Sequence, residues 1–282
     1  MADAAEAVPS RLQRAVGRVE IGFGLRAGAC RLLLHQEQGC AKARFPKLQA
    51  GAVPEAVLLN TAGGLTDGDR IEQAIDLGAG GSLCVTTQAA EKVYRARAAP
   101  AVVRTAITVG PGASLFWLPQ ETILFDAARL DRCLDVKLGS DSLLVAAECL
   151  ILGRTAHGEE VRSGSLVDRR DIRIAGQLTF AERFRLDGNI EIRRRAPALL
   201  GGARAVATLL VLGPAAESLL EPLREVQIEA GVRVGSSWRA PVLVTRLLGD
   251  DAMALRSTLV RLIRAVADRL APSLALPRVW LC

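Results

Sequence analysis

Leu77-Gly78-Ala79-Gly80-Gly81-Ser82-Leu83 returns 32 residues later as Val109-Gly110-Pro111-Gly112-Ala113-Ser114-Leu115. Leu138-Gly139-Ser140-Asp141-Ser142-Leu143 follows after a further 29, one residue shorter, and Ile174-Ala175-Gly176-Gln177-Leu178 after 36 is a looser fourth copy. Each unit is an alternating strand, a glycine-rich tight turn and a second strand. Val103, Thr105, Ile107 and Val109 share one face while Arg104 and Thr108 take the other. Leu134, Val136 and Leu138 do the same against Asp135 and Lys137. Period-two alternation marks a strand. Strand-turn-strand units recurring at about 30 residues predict a stacked, solenoid-like β architecture. The same spacing also fits an ordinary β-sandwich joined by hairpins.

Outward from the repeat, Val16 to Lys47 reads as strand, turn, strand, punctuated by Gly22, Gly24, Gly28 and Gly39. Residues 1–14 are Ala-rich and polar, a flexible tail. The last third changes character. Val206–Leu212 and Val242–Leu248 read as strands. Pro214 to Val226 reads as a helix that Pro222 breaks into short pieces. Asp250 or Asp251 caps a second helix running to Leu270, with Leu255, Leu259, Leu262, Ile263, Val266 and Leu270 on one face. The expectation is a single, mainly β domain over 1–282 with two α-helices near the C-terminus.

The chain has 282 residues, a formal net charge of +6 and only one Tyr. Arg and Lys are spread along it, and aromatic residues make up 4%. Stacking platforms for nucleic acid are therefore not expected. A solvated Arg-rich surface or an acidic protein partner fits better. The mean hydropathy of +0.25 points to apolar surface covered by a partner. Six cysteines without a C-x-x-C pair, no signal-peptide pattern and no run of 18 apolar residues predict a cytoplasmic chain with reduced thiols and no membrane span.

Leu59-Asn60-Thr61-Ala62-Gly63-Gly64-Leu65-Thr66-Asp67-Gly68-Asp69-Arg70 is Gly-rich, but Asp69 stands where a phosphate loop needs Lys. Asp67 and Asp69 begin a calcium-loop pattern whose closing Glu is missing. The stretch reads as a tight turn with Asx bonds, a surface open to docking. Gln88, Gln120 and Glu148 each come five residues after the Leu that closes a repeat turn. Stacked, they would form an interior ladder, either amides bonded to one another or the wall of a polar passage. Buried polar groups cost about 1–3 kcal/mol each unless satisfied.

With only His35 and His157, imidazole and thiolate sites have little to draw on. Cys149 and His157, with Glu148 and Glu159 beside them, are the nearest approach to a ligand set. Ser163-Gly164-Ser165 is no nucleophile elbow. A Ser/His or Cys/His pair would have to use His35 or His157, and a hydrolase built on Cys149 with His157 is the enzyme alternative. No tightly bound cofactor is expected, and an enzyme is not the favoured reading.

Three further segments carry a family resemblance: the stretch 59–70, Thr86-Thr87-Gln88-Ala89-Ala90-Glu91-Lys92-Val93-Tyr94-Arg95, and Trp117-Leu118-Pro119-Gln120-Glu121-Thr122-Ile123-Leu124-Phe125. With Gly39–Pro46, Asp126, Ala128-Arg129-Leu130, Gly153-Arg154, Gly158-Glu159 and Pro277-Arg278-Val279-Trp280, the chain resembles the UreD/UreH urease accessory proteins over nearly its full length. The resemblance implies a flattened β-helix-like stack with two helices near the C-terminus. It implies a non-enzymatic metallochaperone that binds a UreF-type accessory protein and, through it, a UreG-type GTPase. That assembly acts on the urease apoprotein and carries nickel in transit. Motif residues expected at partner surfaces are Asn60, Thr61, Gly63, Gly64, Asp67, Asp69, Lys92, Tyr94, Arg95, Glu121, Asp126 and Arg129. Those expected along a transient nickel passage are Gln88, Gln120, Glu148, His157 and Glu159. Two positions depart from the family pattern: His157 stands where Met is usual, and Asp67 where Gly is common.

Overall fold

The structure, a computed structural model, describes residues 13–47, 49–154 and 158–281. His157 and nearly all of the expected tail lie outside the described residues. The chain opens with β1 (Val16–Arg26), β2 (Ala29–Gly39), β3 (Ala41–Arg44) and β4 (Glu55–Asn60). The repeated part comprises β5 (Arg70–Leu77), β6 (Ser82–Thr87), β7 (Glu91–Val93), β8 (Ala101–Val109), β9 (Ser114–Leu118), β10 (Thr122–Leu124), β11 (Arg129–Leu138) and β12 (Leu143–Leu152). Then come β13 (Ser163–Ile174), β14 (Gln177–Asn189), α1 (Ile190–Arg195), β15 (Ala205–Leu212), α2 (Leu220–Arg224), β16 (Val232–Arg239), β17 (Val242–Gly249) and α3 (Ala252–Leu270).

Two sheets face each other. One has the order β14-β13-β11-β8-β5-β1-β2, the other β16-β17-β15-β12-β9-β6-β4-β3, with β10 beside β12 and β7. Pairing is parallel from β1 through β13 in the first sheet. It is parallel again from β4 through β12 in the second. The strands on either side of each of the first three repeat turns belong to different sheets, so each unit is a coil of a flattened solenoid. The glycine repeat has a steric cause. A Cβ on Gly110 would lie 2.5 Å from Ala79 N, and one on Gly139 would lie 2.6 Å from Pro111 N. Successive turns stack backbone on backbone, joined by bonds such as Gly110 N to Leu77 O at 2.7 Å and Gly139 N to Val109 O at 2.8 Å.

The fourth copy differs. β13 and β14 are an antiparallel hairpin within one sheet, turning through Ala175 and Gly176 at φ 48° and 83°. That is the two-residue turn whose twist suits a hairpin. Antiparallel pairs also close the other sheet edges, at β1-β2, β3-β4 and β12-β15-β17-β16. The architecture is thus a parallel stack with antiparallel ends, combining both readings of the repeat.

Asp251 caps α3, its Oδ1 accepting from Met253 N at 2.8 Å and Ala254 N at 3.4 Å. Leu255, Leu259, Leu262, Ile263 and Val266 bury against the outer face of the second sheet, onto Phe116, Leu118, Val145, Ala147 and Leu209. Leu270, at the helix end, is only partly buried. The expected helix over Pro214 to Val226 is a 3-10 turn (Glu217–Leu219) and then α2. Pro222 sits in the first turn of α2, where its missing N–H costs little. Elements that escape the sequence reading include α1, capped by the Asn189 side chain, the short strands β7 and β10, and the half-exposed strand β16.

Candidate functional site

The space between the sheets is not uniformly apolar. An apolar cluster around Leu77, Leu83, Val109, Leu115, Leu138 and Leu144 packs at the repeat-turn end. A second, around Leu65, Ile71, Val93, Leu130, Leu150 and Leu166, packs at the other. Between them lies a polar belt. Its centre is a chamber of about 60 Å³ lined by Gln73, Thr87, Glu91, Thr105, Gln120, Thr122, Arg132 and Glu148, among others. Gln73, Thr87 and Glu91 also line an outer recess of about 340 Å³ that includes Asn60 and Gln88. Glu148 also lines a groove of about 260 Å³ that includes Asp168, Arg170, Glu182 and Arg246.

The expected ladder of Gln88, Gln120 and Glu148 does not form. β12 is set one residue out of the repeat alignment: Leu144, not Leu143, pairs with Leu115. In a strand a one-residue shift turns a side chain to the other face. Glu148 therefore shares the inner face with Trp117, whose Nε1 donates to Glu148 Oε1 at 3.4 Å. Gln120 lies under α3, where its Oε1 accepts from Arg256 Nη1 at 3.1 Å. Its Nε2, also buried, has no hydrogen-bond partner among the described residues. Gln88 is exposed at the recess.

Glu148 belongs to a buried ionic network. Its Oε2 lies 2.6 Å from Arg170 Nε and 3.8 Å from Arg132 Nη2. Asp168 Oδ2 pairs with Arg132 at 2.6 Å and Arg170 at 3.0 Å. Glu182 joins Arg170 to Arg246. Burial opposes ionisation of Asp168, but the charges of Arg132 and Arg170 outweigh it and hold the carboxyl below its usual range. Burial likewise opposes the charge on Arg170, and Glu148, Asp168 and Glu182 overcome it. Three acids meet three arginines, so the network as a whole is neutral.

Glu91 has no such compensation. Asn60 Nδ2 donates to its two oxygens at 3.2 and 3.3 Å, and no ion pair forms at either among the described residues. Burial pushes its carboxyl up to about 7; the Asn60 bond works against this, and the charge of Asp69 adds to it.

The motif loops pin neighbouring coils together. Asp69 is buried and accepts from Ala15 N and Thr66 N, both at 2.8 Å. Asp67 accepts from Ala98 N at 3.1 Å and lies 3.6 Å from Arg14; its bonds to Ala99 and Ala98 hold its carboxyl below the usual range. Asp126 accepts from Arg162 N at 2.8 Å and Ser163 N at 3.0 Å, and Arg95 lies 3.6 Å away. Thr61 Oγ1 donates to Cys40 O at 3.1 Å. Tyr94 OH donates to Gly63 O at 3.1 Å, and its ring meets Phe125 edge-on at 4.9 Å. Arg129 donates to Ala98 O at 3.1 Å. Glu159 accepts from Arg154 Nε at 2.9 Å, which holds its carboxyl low. Glu121 pairs with Arg256, and Lys92 is exposed. The Asx-rich turn expected at 60–70 is present, with Asn60 Oδ1 accepting from Ala62 N at 3.0 Å.

The cysteine nucleophile fails on geometry. Cys149 is buried in the apolar core beneath α3, and burial pushes its thiol up, the reverse of what activation requires. Among the described residues no group of three or more His, Cys, Asp or Glu could hold a metal ion. Glu91, Gln73, Arg132, Asp168 and Arg170 were not singled out from sequence. Arg132, Asp168 and Arg170 do occupy alternation positions that would otherwise be apolar, and that was their only signal.

Fold and chamber together define a stacked β-scaffold with a polar interior. The chain belongs to the UreD urease accessory protein family, whose profile matches residues 15–281. It is 42% identical over 276 residues to the urease accessory protein UreD of Methylobacterium sp. (strain 4-46), covering 96% of each chain. It is 44% identical over 275 residues to that of Chelativorans sp. (strain BNC1), covering 98% of this chain and 97% of the relative. Against the Rhizobium leguminosarum bv. viciae protein it is 44% identical over 274 residues, covering 97% and 98%. No helix among the described residues is long and apolar enough to cross a membrane.

Proposed function

We propose that this chain is a cytoplasmic, non-enzymatic urease maturation factor. It binds the urease apoprotein together with a UreF-type protein and, through it, a UreG-type GTPase, and aids nickel insertion into the urease active site. Nickel is cargo in this reading, and no resident cofactor is needed. The polar belt is the observation that carries it: an interior wall of amide, hydroxyl, carboxylate and guanidinium groups runs from an outer recess at Asn60 and Glu91 to a groove at Arg246. Oxygen donors of this kind bind divalent ions weakly enough to release them. Deleting the gene in its host and measuring nickel in purified urease tests the proposal. Nickel-poor, inactive urease restored by re-expression supports it, and normal nickel content refutes it.

A second reading is a scaffold whose interior conducts nothing. The Glu148–Arg170 pair favours it, because Glu148, which lines both chamber and groove, is bonded to a buried guanidinium. Replacing both members together with apolar residues separates the readings. Normal nickel delivery by a Glu148→Leu/Arg170→Met protein supports the closed scaffold.

A further inference from the structure

Antiparallel pairing brings the start of β13 beside the end of β14, with Gly164 opposite Gly188. Between this open end of the hairpin and the turn at Ala127 lies an open cleft of about 630 Å³. Two guanidinium groups line it, those of Arg129 and Arg162, and both residues are exposed. Arg129 Nη1 donates to Ala98 O at 3.1 Å, which holds the group in place and leaves its other donors free. The Arg162 side chain has no hydrogen bond or ion pair among the described residues. The acids nearby are matched elsewhere. Asp187, in the cleft wall, is bonded to Arg185 at 2.9 Å, and the charge of Arg193 also acts on it. Asp126 accepts from Arg162 N and Ser163 N and lies 3.6 Å from Arg95. The cleft therefore carries an uncompensated positive charge.

We propose that this cleft docks an acidic, extended segment of a protein partner, with Arg129 and Arg162 each taking a carboxylate and the Ser163 and Ser165 hydroxyls bonding its polar groups. The proposal rests on the maturation reading above for the partner's role in the cell, and on the charge of the cleft for the recognition itself. A guanidinium fork matches a carboxylate with two parallel bonds. A small free anion fits less well, because such sites are built on backbone N–H groups. Here the N–H groups of Ala127, Ser163 and Ser165 are committed to Ser163 O, Asp126 Oδ1 and Ala128 O. What the cleft offers is side-chain donors spread along an open wall, the arrangement suited to acids carried on a chain.

Fluorescence anisotropy of a labelled, alternating Glu-Gly peptide on the purified full chain, with the Gln-Gly peptide as reference, tests this. The wild type binds the acidic peptide more tightly, and binding weakens as salt rises. Arg129→Gln/Arg162→Gln lowers that affinity at least about tenfold, and Arg162→Lys, which keeps the charge but loses the fork, lies between. Arg239→Gln/Arg264→Gln removes the same charge from exposed arginines elsewhere and leaves the affinity unchanged. Circular dichroism and the unfolding midpoint verify that each variant folds. Equal affinity of the wild type for the two peptides overturns the dock. Equal losses in the two double variants also overturn it, since they would report net charge alone. Displacement of the peptide by inorganic phosphate at matched ionic strength overturns it in favour of a small-anion site. Nickel in urease matured with Arg129→Gln/Arg162→Gln separates the dock from the maturation reading. Lost peptide binding with normal urease nickel leaves the dock standing and removes it from maturation. Retained peptide binding overturns the dock whatever the urease contains, and leaves the maturation reading to the gene deletion.

Discussion

Glu148 Oε2 lies 2.6 Å from Arg170 Nε, and both side chains are buried between the sheets. Removing one member of such a pair leaves a charge without a partner in the interior. Glu148→Ala is expected to cost about 3–5 kcal/mol. In Glu148→Leu/Arg170→Met, Asp168 keeps Arg132 and Glu182 keeps Arg246, so the double change recovers most of that loss. Urea denaturation of both proteins measures this. A single variant no weaker than a surface substitution, within about 0.5 kcal/mol, would refute the assignment.

Adjacent glycines in the 59–70 loop should respond differently to alanine. A Cβ on Gly64 would lie 2.4 Å from Tyr94 Cε2 and 2.8 Å from Lys92 O, with φ at +136°. Gly63 has φ +78° but open space around it. Gly63→Ala is expected to lose about 1–2 kcal/mol from its left-handed backbone alone. Gly64→Ala should lose that and more, and should displace Tyr94 from Gly63 O. Equal unfolding midpoints for the two variants would count against this geometry.

Trp280 fastens the C-terminal segment beneath α3. Its Nε1 donates to Leu118 O at 2.9 Å, Arg256 stacks on its ring at 4.9 Å, and the side chain is buried. Trp280→Ala is expected to destabilise by about 3–5 kcal/mol through the cavity it leaves. Trp280→Phe retains much of the packing and loses the bond to Leu118 O, which keeps its bond from Thr86 Oγ1, at a cost of about 0.5–1.5 kcal/mol. Thermal unfolding should rank wild type above Phe and Phe above Ala, and any other order argues against this anchor.

Glu37 provides a pH test. Ala43 N donates to its Oε1 at 2.7 Å, and with His35 and Arg44 alongside, its carboxyl falls to about 2 from an ordinary 4.5. A depressed acid favours the folded state above the unfolded value and loses that contribution as pH falls through the folded one. Wild type should therefore lose stability between pH 4.5 and about 2 more steeply than Glu37→Gln does. Unfolding midpoints across that range, taken on both proteins, measure the difference. Parallel curves would mean that the bond to Ala43 contributes nothing.

Much of the fold was legible because its causes are local. Alternation at 103–109 and 134–138 sets strands, the glycines at 110 and 139 let backbones stack, and Asp251 caps a helix whose apolar stripe lies four and three residues apart. The motif acids at 67, 69 and 126 were legible as important, yet in the folded chain they accept backbone amides from neighbouring coils. Apart from Thr66 N, which Asp69 holds within the loop, these partners lie more than 30 residues away, so that part of their structural duty was invisible in the loop itself.

By itself, then, the sequence determined strands, turns, the coil repeat and the amphipathic helix, since each depends on residues within a few positions of one another. The tertiary structure decided that the fourth unit folds back as a hairpin, that β12 pairs one residue out of step, and that Glu148 meets Arg170 while Glu91 meets no cation among the described residues. Register between strands about 30 residues apart is set by packing across the whole sheet, and because side chains alternate with a period of two, a single step moves a carboxylate from one face to the other.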